Sequence, residues 1–334
     1  MIELIRKGLF SDNGVDGSVL TPSQKDRKRS NITDDAISHT KDVLPGEVGW
    51  EKLPPFDEDY PGAVREIVED VKASQLYVIP PFGRLHEQPD EVHDSLDEKY
   101  ARSGDVAIVT LLSVVEGLSE EDVAALTLPV SFFHGQRARH ERAKTLRLGH
   151  PRLILEPHPS YHGIHGHFQV QTIFCAGAPS EAEPPMTKFF SIPMSDDTDR
   201  EDVLDDFERL LQQGGGETAH GFVHRSQLNP DGTWSYEHLS PERQREIDEI
   251  KRLGDVQPLG ELFEVKIGHP FSEDIREKVK QSPDEGDIPR IEGRDIRPDG
   301  TLSYRDTRVA VDQGKLGENR QVCLQAGDIC VRRV

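Results

Sequence analysis

The chain reads as an α/β protein followed by a helical connector and a smaller α+β segment, and three observations predict this. A helix-patterned stretch from residue 58 to residue 73 runs into a short apolar strand, 76–79, that Pro80-Pro81-Phe82 stops. Two further apolar strands, 152–155 and 171–176, follow a basic helical stretch and a polar loop. Finally, charged helical stretches at 196–213 and 241–253 give way to short alternating segments around an Asp-Gly turn.

Taken in order, residues 1–60 are polar and punctuated by Asp12-Asn13-Gly14, Asp16-Gly17 and Pro54-Pro55, which predicts little regular structure. The first helix then carries Ala63, Ile67, Val68 and Val71 on its apolar stripe. Residues 90–100 are charged and predict a solvent-facing stretch. Residues 106–115 are so continuously apolar that periodicity chooses neither helix nor strand. Ser119 followed by Glu120, Glu121 and Asp122 has the form of a capped helix start, with acidic groups at the positive end of the dipole. A proline-rich loop at 179–185 precedes an acidic helix bearing Val203, Leu204, Phe207, Leu210 and Leu211, which Gly214-Gly215-Gly216 ends. No Lys-Ser/Thr follows those glycines, so they do not form a P-loop. The next helix has Pro241 in its first turn. The resulting division is a first domain over 1–178, a linker and helical connector over 179–252, and a last domain over 253–334.

With 334 residues the chain is long enough for two domains with real cores. Cys175, Cys323 and Cys330 make neither a disulfide framework nor a zinc pattern, which suits a reducing compartment. No apolar run approaches a membrane span, and the opening residues do not form a secretory leader, so a cytoplasmic protein without a membrane partner is expected. The net charge of −21 would argue against a nucleic-acid partner, since Lys and Arg drive phosphate binding. Its distribution weakens that objection, because from Ile288 onward basic residues outnumber acidic ones. Arginine also outnumbers lysine, and an acidic, lysine-poor surface is the composition expected of a salt-loving cytoplasm.

The stretch Tyr77-Val78-Ile79-Pro80-Pro81-Phe82-Gly83 resembles the Asp/Asn/Ser-Pro-Pro-Tyr/Phe motif of amino-group DNA methyltransferases. The resemblance implies a device for a base flipped out of the duplex, because its amino group is unreachable in the stack. The polar side chain and the first proline's carbonyl accept hydrogen bonds from the amine, and the aromatic ring stacks on the base. In the degenerate motif Ile79, Pro80, Pro81, Phe82, Ile79 can accept nothing, whereas Pro80 keeps a carbonyl and Phe82 a stacking surface. Leu128-Pro129-Val130-Ser131-Phe132 is similar to a strand end found downstream in adenine-N6 methylases of type I restriction-modification systems. Then come the basic stretch with Arg137, Arg139, Arg142, Lys144 and Arg147, the strand at 152–155, Phe168 and the strand at 171–176, in that family's order. The resemblance implies an incomplete Rossmann-like methyltransferase half-fold. In the family a glycine-containing loop after the first strand binds S-adenosylmethionine. Residues 1–75 offer no apolar strand followed by such a loop, and Gly14 and Gly17 have nothing strand-like before them, so no cofactor is expected unless a partner chain supplies the site.

From Leu253 onward the chain resembles the opening of a target-recognition domain from a type I specificity subunit. The resemblance rests on Ile288-Pro289-Arg290-Ile291, Asp295-Ile296, Asp299-Gly300 and Gly327-Asp328-Ile329, and it covers only the first part of such a domain. It implies double-stranded DNA as partner, together with methylase, specificity or restriction subunits of the same system. Arginine grips phosphate or pairs bidentately with guanine, so Arg290, Arg294 and Arg297, then Tyr304 and Arg305, are the candidate DNA contacts. An eight-residue echo, Asn229–Tyr236 against Arg297–Tyr304, reads as recurrent turn chemistry.

One rival constellation is the run of histidines His158, His162, His165 and His167. It lies among glycines and prolines without a helical His-Glu-x-x-His or a Cys pair, so it reads as a polar loop and no metal is expected. Cys175, in an apolar strand, reads as core filler. The sequence therefore predicts a DNA-binding, methylase/specificity-like component of a restriction-modification or related phage-defence system, unable to methylate alone. Two alternatives stay open: one part of a split methyltransferase whose donor site lies on another chain, and an inert gene remnant.

Overall fold

The first strand of the chain lies where the turn residues predict none. In the computed structural model, α1 (Ile2–Leu9) precedes β1 (Gly17–Thr21), and every residue of β1 is buried. There follow α2 (Asp34–Val43), β2 (Gly49–Lys52), α3 (Tyr60–Val71) and β3 (Gln75–Val78). Next come α4 (Val106–Gly117), β4 (Val123–Pro129), α5 (Val130–His134), a single 3-10 turn (Gln136–Ala138) and α6 (Arg139–Leu148). The unit continues with β5 (Gly149–Pro157), β6 (Val170–Gly177), β7 (Thr187–Ile192), α7 (Arg200–Gln212), β8 (Gly221–His224), α8 (Tyr236–Leu239) and α9 (Pro241–Arg252). The described residues are 1–9, 17–22, 26, 34–44, 48–57, 59–71, 74–83, 105–158, 169–177, 186–193, 199–212, 215–254, 279–280, 288–289 and 310–311.

The chain divides into two units, Met1–Arg252 and Leu253–Val334. In the first, eight strands form one mixed sheet in the order β2-β1-β3-β4-β6-β5-β7-β8. Strands β2, β1, β3 and β4 run parallel, β6 is antiparallel to both β4 and β5, β7 is parallel to β5, and β8 closes antiparallel to β7. In the second unit the described residues form three short antiparallel strands, β9 (Val279–Lys280), β10 (Ile288–Pro289) and β11 (Ala310–Val311), ordered β10-β11-β9.

Alternation along the strands sends side chains to two cores, one on each face of the sheet. Leu20, Leu76, Val78, Leu126 and Ile173 meet α3, α4 and α5 on one face. Val19, Tyr77, Ala125, Phe174 and Phe190 meet α1, α2 and α7 on the other. Helix α4 settles the ambiguous apolar stretch: Val106 through Val115 are all buried, Asp105 caps the start by accepting from the Ala107 N–H at 3.0 Å, and α3 packs beside it. A helix apolar all round is stable only when wrapped by neighbours. Its Thr110 and Ser113 hydroxyls donate to carbonyls one turn back, Val106 at 3.1 Å and Val109 at 2.8 Å, so no polar debt enters the core.

Four expectations are corrected. Residues 1–60 hold two helices and two sheet strands rather than turns alone, because β1 is sheltered by strands on both edges and by helices on both faces. The sheet has eight strands and is no half-fold. Residues 179–252 are not merely a connector, since β7, β8 and α7 build sheet and core, with Phe189, Phe190, Phe207 and Phe222 buried. Ser119 opens a turn rather than a helix: its N–H and hydroxyl both donate to Asp122 Oδ2, at 3.0 and 2.5 Å, and β4 follows at once. Among the described residues no helix is long and apolar enough to cross a membrane.

Candidate functional site at the strand switch point

Strand β1 is followed by α2 on one face, whereas β3 is followed by α4 on the other, so the winding reverses between two adjacent parallel strands. Ligands of open parallel sheets bind beyond the carboxyl ends at such a reversal. In this chain the segments there are Pro22 after β1, Leu53–Phe56 after β2 and Ile79–Gly83 after β3. Ladder bonds persist past the strand ends, from the Leu53 N–H to the Thr21 carbonyl at 2.7 Å and from the Ile79 N–H to the Leu20 carbonyl at 2.9 Å.

Aromatic side chains occupy this edge. Phe56 and Tyr60 pack ring on ring with centroids 4.6 Å apart, and both share one core cluster with Phe82, which is 5% exposed. The Tyr60 hydroxyl lies 2.9 Å from Thr110 Oγ1. Burial pushes the Tyr60 hydroxyl far above its ordinary value; the Thr110 contact opposes this, and the buried Asp26 carboxylate adds to it. Tyr60 is therefore a neutral core phenol. Ile79 has no exposed surface and points to the opposite core, with Val19 and Tyr77. The Phe82 ring is thus packed against the protein's own core. Gly83 takes φ 143, a conformation that favours glycine, and its carbonyl accepts from the Val106 N–H at 3.1 Å where α4 begins.

The same residues decide whether an adenosyl cofactor fits. A nucleotide at a strand end needs glycine so that the backbone can approach it closely. Strand β1 does exist, but no glycine follows it until Gly46. The stretch that follows β1 thus offers no glycine for such an approach, and the described side chains at the neighbouring strand ends are apolar.

Beyond β4 the sequence reading missed a second assembly. Arg142 has no solvent exposure, and its guanidinium donates to the Phe132 carbonyl at 2.5 Å, the Gly135 carbonyl at 2.9 Å and the Pro230 carbonyl at 2.8 Å. It lies over the Trp234 ring, 5.8 Å from the centroid. Trp234, 1% exposed, donates its backbone N–H to the Phe133 carbonyl at 2.9 Å and its indole N–H to the Asn229 carbonyl at 2.8 Å. The turn 229–234 therefore straps the carboxyl end of β4, and Tyr236 continues it by donating its N–H to Glu156 Oε2 at 2.7 Å. The available signal was the Asn-Pro-Asp-Gly-Thr-Trp echo itself, whose turn closes from the Gly232 N–H to the Asn229 carbonyl at 3.1 Å.

Arg290, Arg294, Arg297, Tyr304 and Arg305 lie outside the described residues, as do Phe168, His162, His165, His167, Cys323 and Cys330. Among the described residues no group of three His, Cys, Asp or Glu side chains is placed to hold a metal ion. Cys175 is fully buried in β6, and burial pushes its thiol far above the ordinary value, so it is no ready nucleophile.

No family model and no curated protein sequence matches the chain. Solved structures do resemble it. A modification subunit of a putative type I restriction enzyme from Vibrio vulnificus is 11% identical, with TM-score 0.45 over 72% of this chain and 60% of that one. The methyltransferase subunit of a type I restriction-modification system from Streptococcus thermophilus is 12% identical, with TM-score 0.44 over 67% of this chain and 54% of that one. The type IIG restriction endonuclease BpuSI is 11% identical, with TM-score 0.45 over 93% of this chain and 42% of that one. The chain is thus similar in structure to methyltransferase subunits of restriction-modification systems, and it spans about 60% of the length of the first of them.

Proposed function

We propose that this protein is a DNA-binding component of a restriction-modification or related phage-defence system and that it does not transfer methyl groups by itself. The observation that carries the second half is the filled carboxyl edge. Phe56, Tyr60 and Phe82 are packed into the core at the edge where a parallel sheet holds its ligand, and the Ile79 side chain offers no acceptor to a target amine. The absence of glycine between Gly17 and Gly46 supports the same reading from the cofactor side. DNA binding is supported by the arginine-bearing block from Ile288 to Arg305, with Arg290, Arg294, Arg297, Tyr304 and Arg305 as contacts and double-stranded DNA as partner. Methylase, specificity or restriction subunits would supply the chemistry.

The test pairs two measurements on the purified full chain. Duplex binding is expected, weakening steeply with salt and reduced by Arg290→Ala with Arg294→Ala. Neither calorimetric binding of S-adenosylmethionine nor transfer of a labelled methyl group to DNA is expected. Methyl transfer by the chain alone would overturn the non-catalytic reading, and no duplex binding at any salt that leaves the protein folded would overturn the DNA reading.

A further inference from the structure

The first unit carries a basic stretch that runs against the net charge of the chain. From His134 to Arg152 the sequence holds Arg137, Arg139, Arg142, Lys144, Arg147 and Arg152 against one acid, Glu141. Both Glu141 and Arg142 are without solvent exposure. The exposed charges of this stretch are therefore all positive: Arg137, Arg139, Arg147 and Arg152. In a chain of net charge −21 this is a local inversion. None of these four arginines makes an ion pair among the described residues, whereas elsewhere Arg65, Arg209 and Arg243 are each paired with a carboxylate. At one end of the row the Gln136 side-chain amide donates to the Asp231 backbone carbonyl at 3.4 Å.

Placement adds direction. Helix α5, the 3-10 turn and α6 follow the carboxyl end of β4, the strand that pairs in parallel with β3 up to Val78 and Leu126. Arg139 and Arg147 lie two helical turns apart on α6, about 12 Å along its axis. That separation matches roughly three to four nucleotide steps of one strand of a duplex at 3.4 Å each. Guanidinium groups that are weakly hydrated, unpaired and spaced along a rigid helix suit phosphate oxygens.

We infer that the exposed arginines of the 137–147 stretch form a second, sequence-independent contact to the phosphodiester backbone of duplex DNA, separate from the arginine block of the second unit. This deepens the DNA-binding reading proposed above and rests on it. The surface contributes affinity and salt dependence, and it carries no base specificity.

The experiment compares the full chain with two variants, Arg137→Ala/Arg139→Ala/Arg147→Ala and Arg290→Ala/Arg294→Ala, by fluorescence anisotropy on duplexes of unrelated sequence across a salt series. Alanine is the best helix former, so the triple variant keeps α6. The expected result is that the triple variant loses up to about 2.7 from the slope of log K against log salt, at about 0.9 per phosphate contact. Its loss of affinity should be equal on every duplex. Wild-type affinity and slope in the triple variant, with binding impaired in the Arg290/Arg294 variant, would overturn this surface and leave the reading of the second unit standing. Failure of the unmodified chain to bind any duplex would overturn both. Displacement of DNA by polyglutamate as readily as by unlabelled duplex, lost in the triple variant, would overturn the phosphate assignment in favour of an acidic protein partner.

Discussion

Replacing Arg142 by methionine isolates what the strap over β4 is worth. Methionine keeps an unbranched apolar stem in the same space and removes the guanidinium. Three carbonyls lose a donor, but the Gly135 carbonyl keeps the Ala138 N–H at 3.2 Å. The Phe132 and Pro230 carbonyls keep no other donor among the described residues, and each buried orphan costs about 1–3 kcal/mol. Loss of the contact over the Trp234 ring adds about 0.5–1 kcal/mol. The charge no longer has to be desolvated, which offsets part of the sum, since burial already pushes the Arg142 guanidinium below its ordinary value. A net loss of about 3 kcal/mol follows, or roughly 6–12 °C in Tm for a unit of this size.

Urea unfolding followed by circular dichroism gives the global figure. Emission from Trp234, one of two tryptophans, reports whether the turn detaches first. A double-mutant cycle with Trp234→Phe should return a coupling of about 1 kcal/mol, because the two side chains share one assembly. An Arg142→Met variant within about 1 kcal/mol of the unmodified chain would refute the claim that this guanidinium holds the strap.

Other consequences are open to the same instruments. Ile79→Asn places a side-chain acceptor at the end of β3, but it buries an amide in an apolar core, so it should cost about 3 kcal/mol and, on the proposed reading, yield no methyl transfer to DNA. Tyr60→Phe should cost about 1 kcal/mol, since Thr110 already donates to Val106 and so accepts the phenol proton. At Glu156 burial, only partly opposed by the Tyr236 N–H, raises the carboxyl above its ordinary 4.5. A raised folded-state value means stability present below the ordinary value and lost as pH rises through the raised one. The Tm of Glu156→Gln relative to the unmodified chain should therefore increase from about pH 4 to pH 7, and a flat difference would contradict the burial argument.

Local pattern located the elements whose neighbours are covalently close. The helix α3, strand β3 and Pro80-Pro81-Phe82 were legible because a period of 3.6 switches to a short apolar run and then to residues that cannot continue a ladder. The basic helix, β5, β6, α7 and α9 were legible for similar reasons. Strand β1 was not, because Gly-Ser-Val-Leu-Thr contains only two large apolar residues and owes its burial to β2, β3 and helices far along the chain. Ser119 misled because the side chain that caps a helix also closes a turn, and the choice rests on the β3 and β6 partners waiting for Val123–Pro129. At the edge, the sequence reading found Ile79 and Phe82 by type. It could not show that their side chains leave the strand end for opposite cores. Nor could it show that one arginine of the basic stretch is buried while its neighbours are exposed, since charge is written in the sequence and depth is not.

The apolar character of the carboxyl edge has a physical logic of its own. A strand end that holds a ligand must keep polar groups unspent and space unfilled, and both cost stability until the ligand arrives. Once Ile occupies position 79, nothing there requires solvent, and burying it is favourable by about 2 kcal/mol, the usual magnitude for such a side chain. Phe56, Tyr60 and Phe82 gain similarly by closing over the neighbouring core. An acceptor replaced alone would face that packed interior unsolvated. For this reason a polar substitution at Ile79 alone is expected to destabilise the edge rather than open it: an open crevice would require the surrounding aromatic residues to change as well.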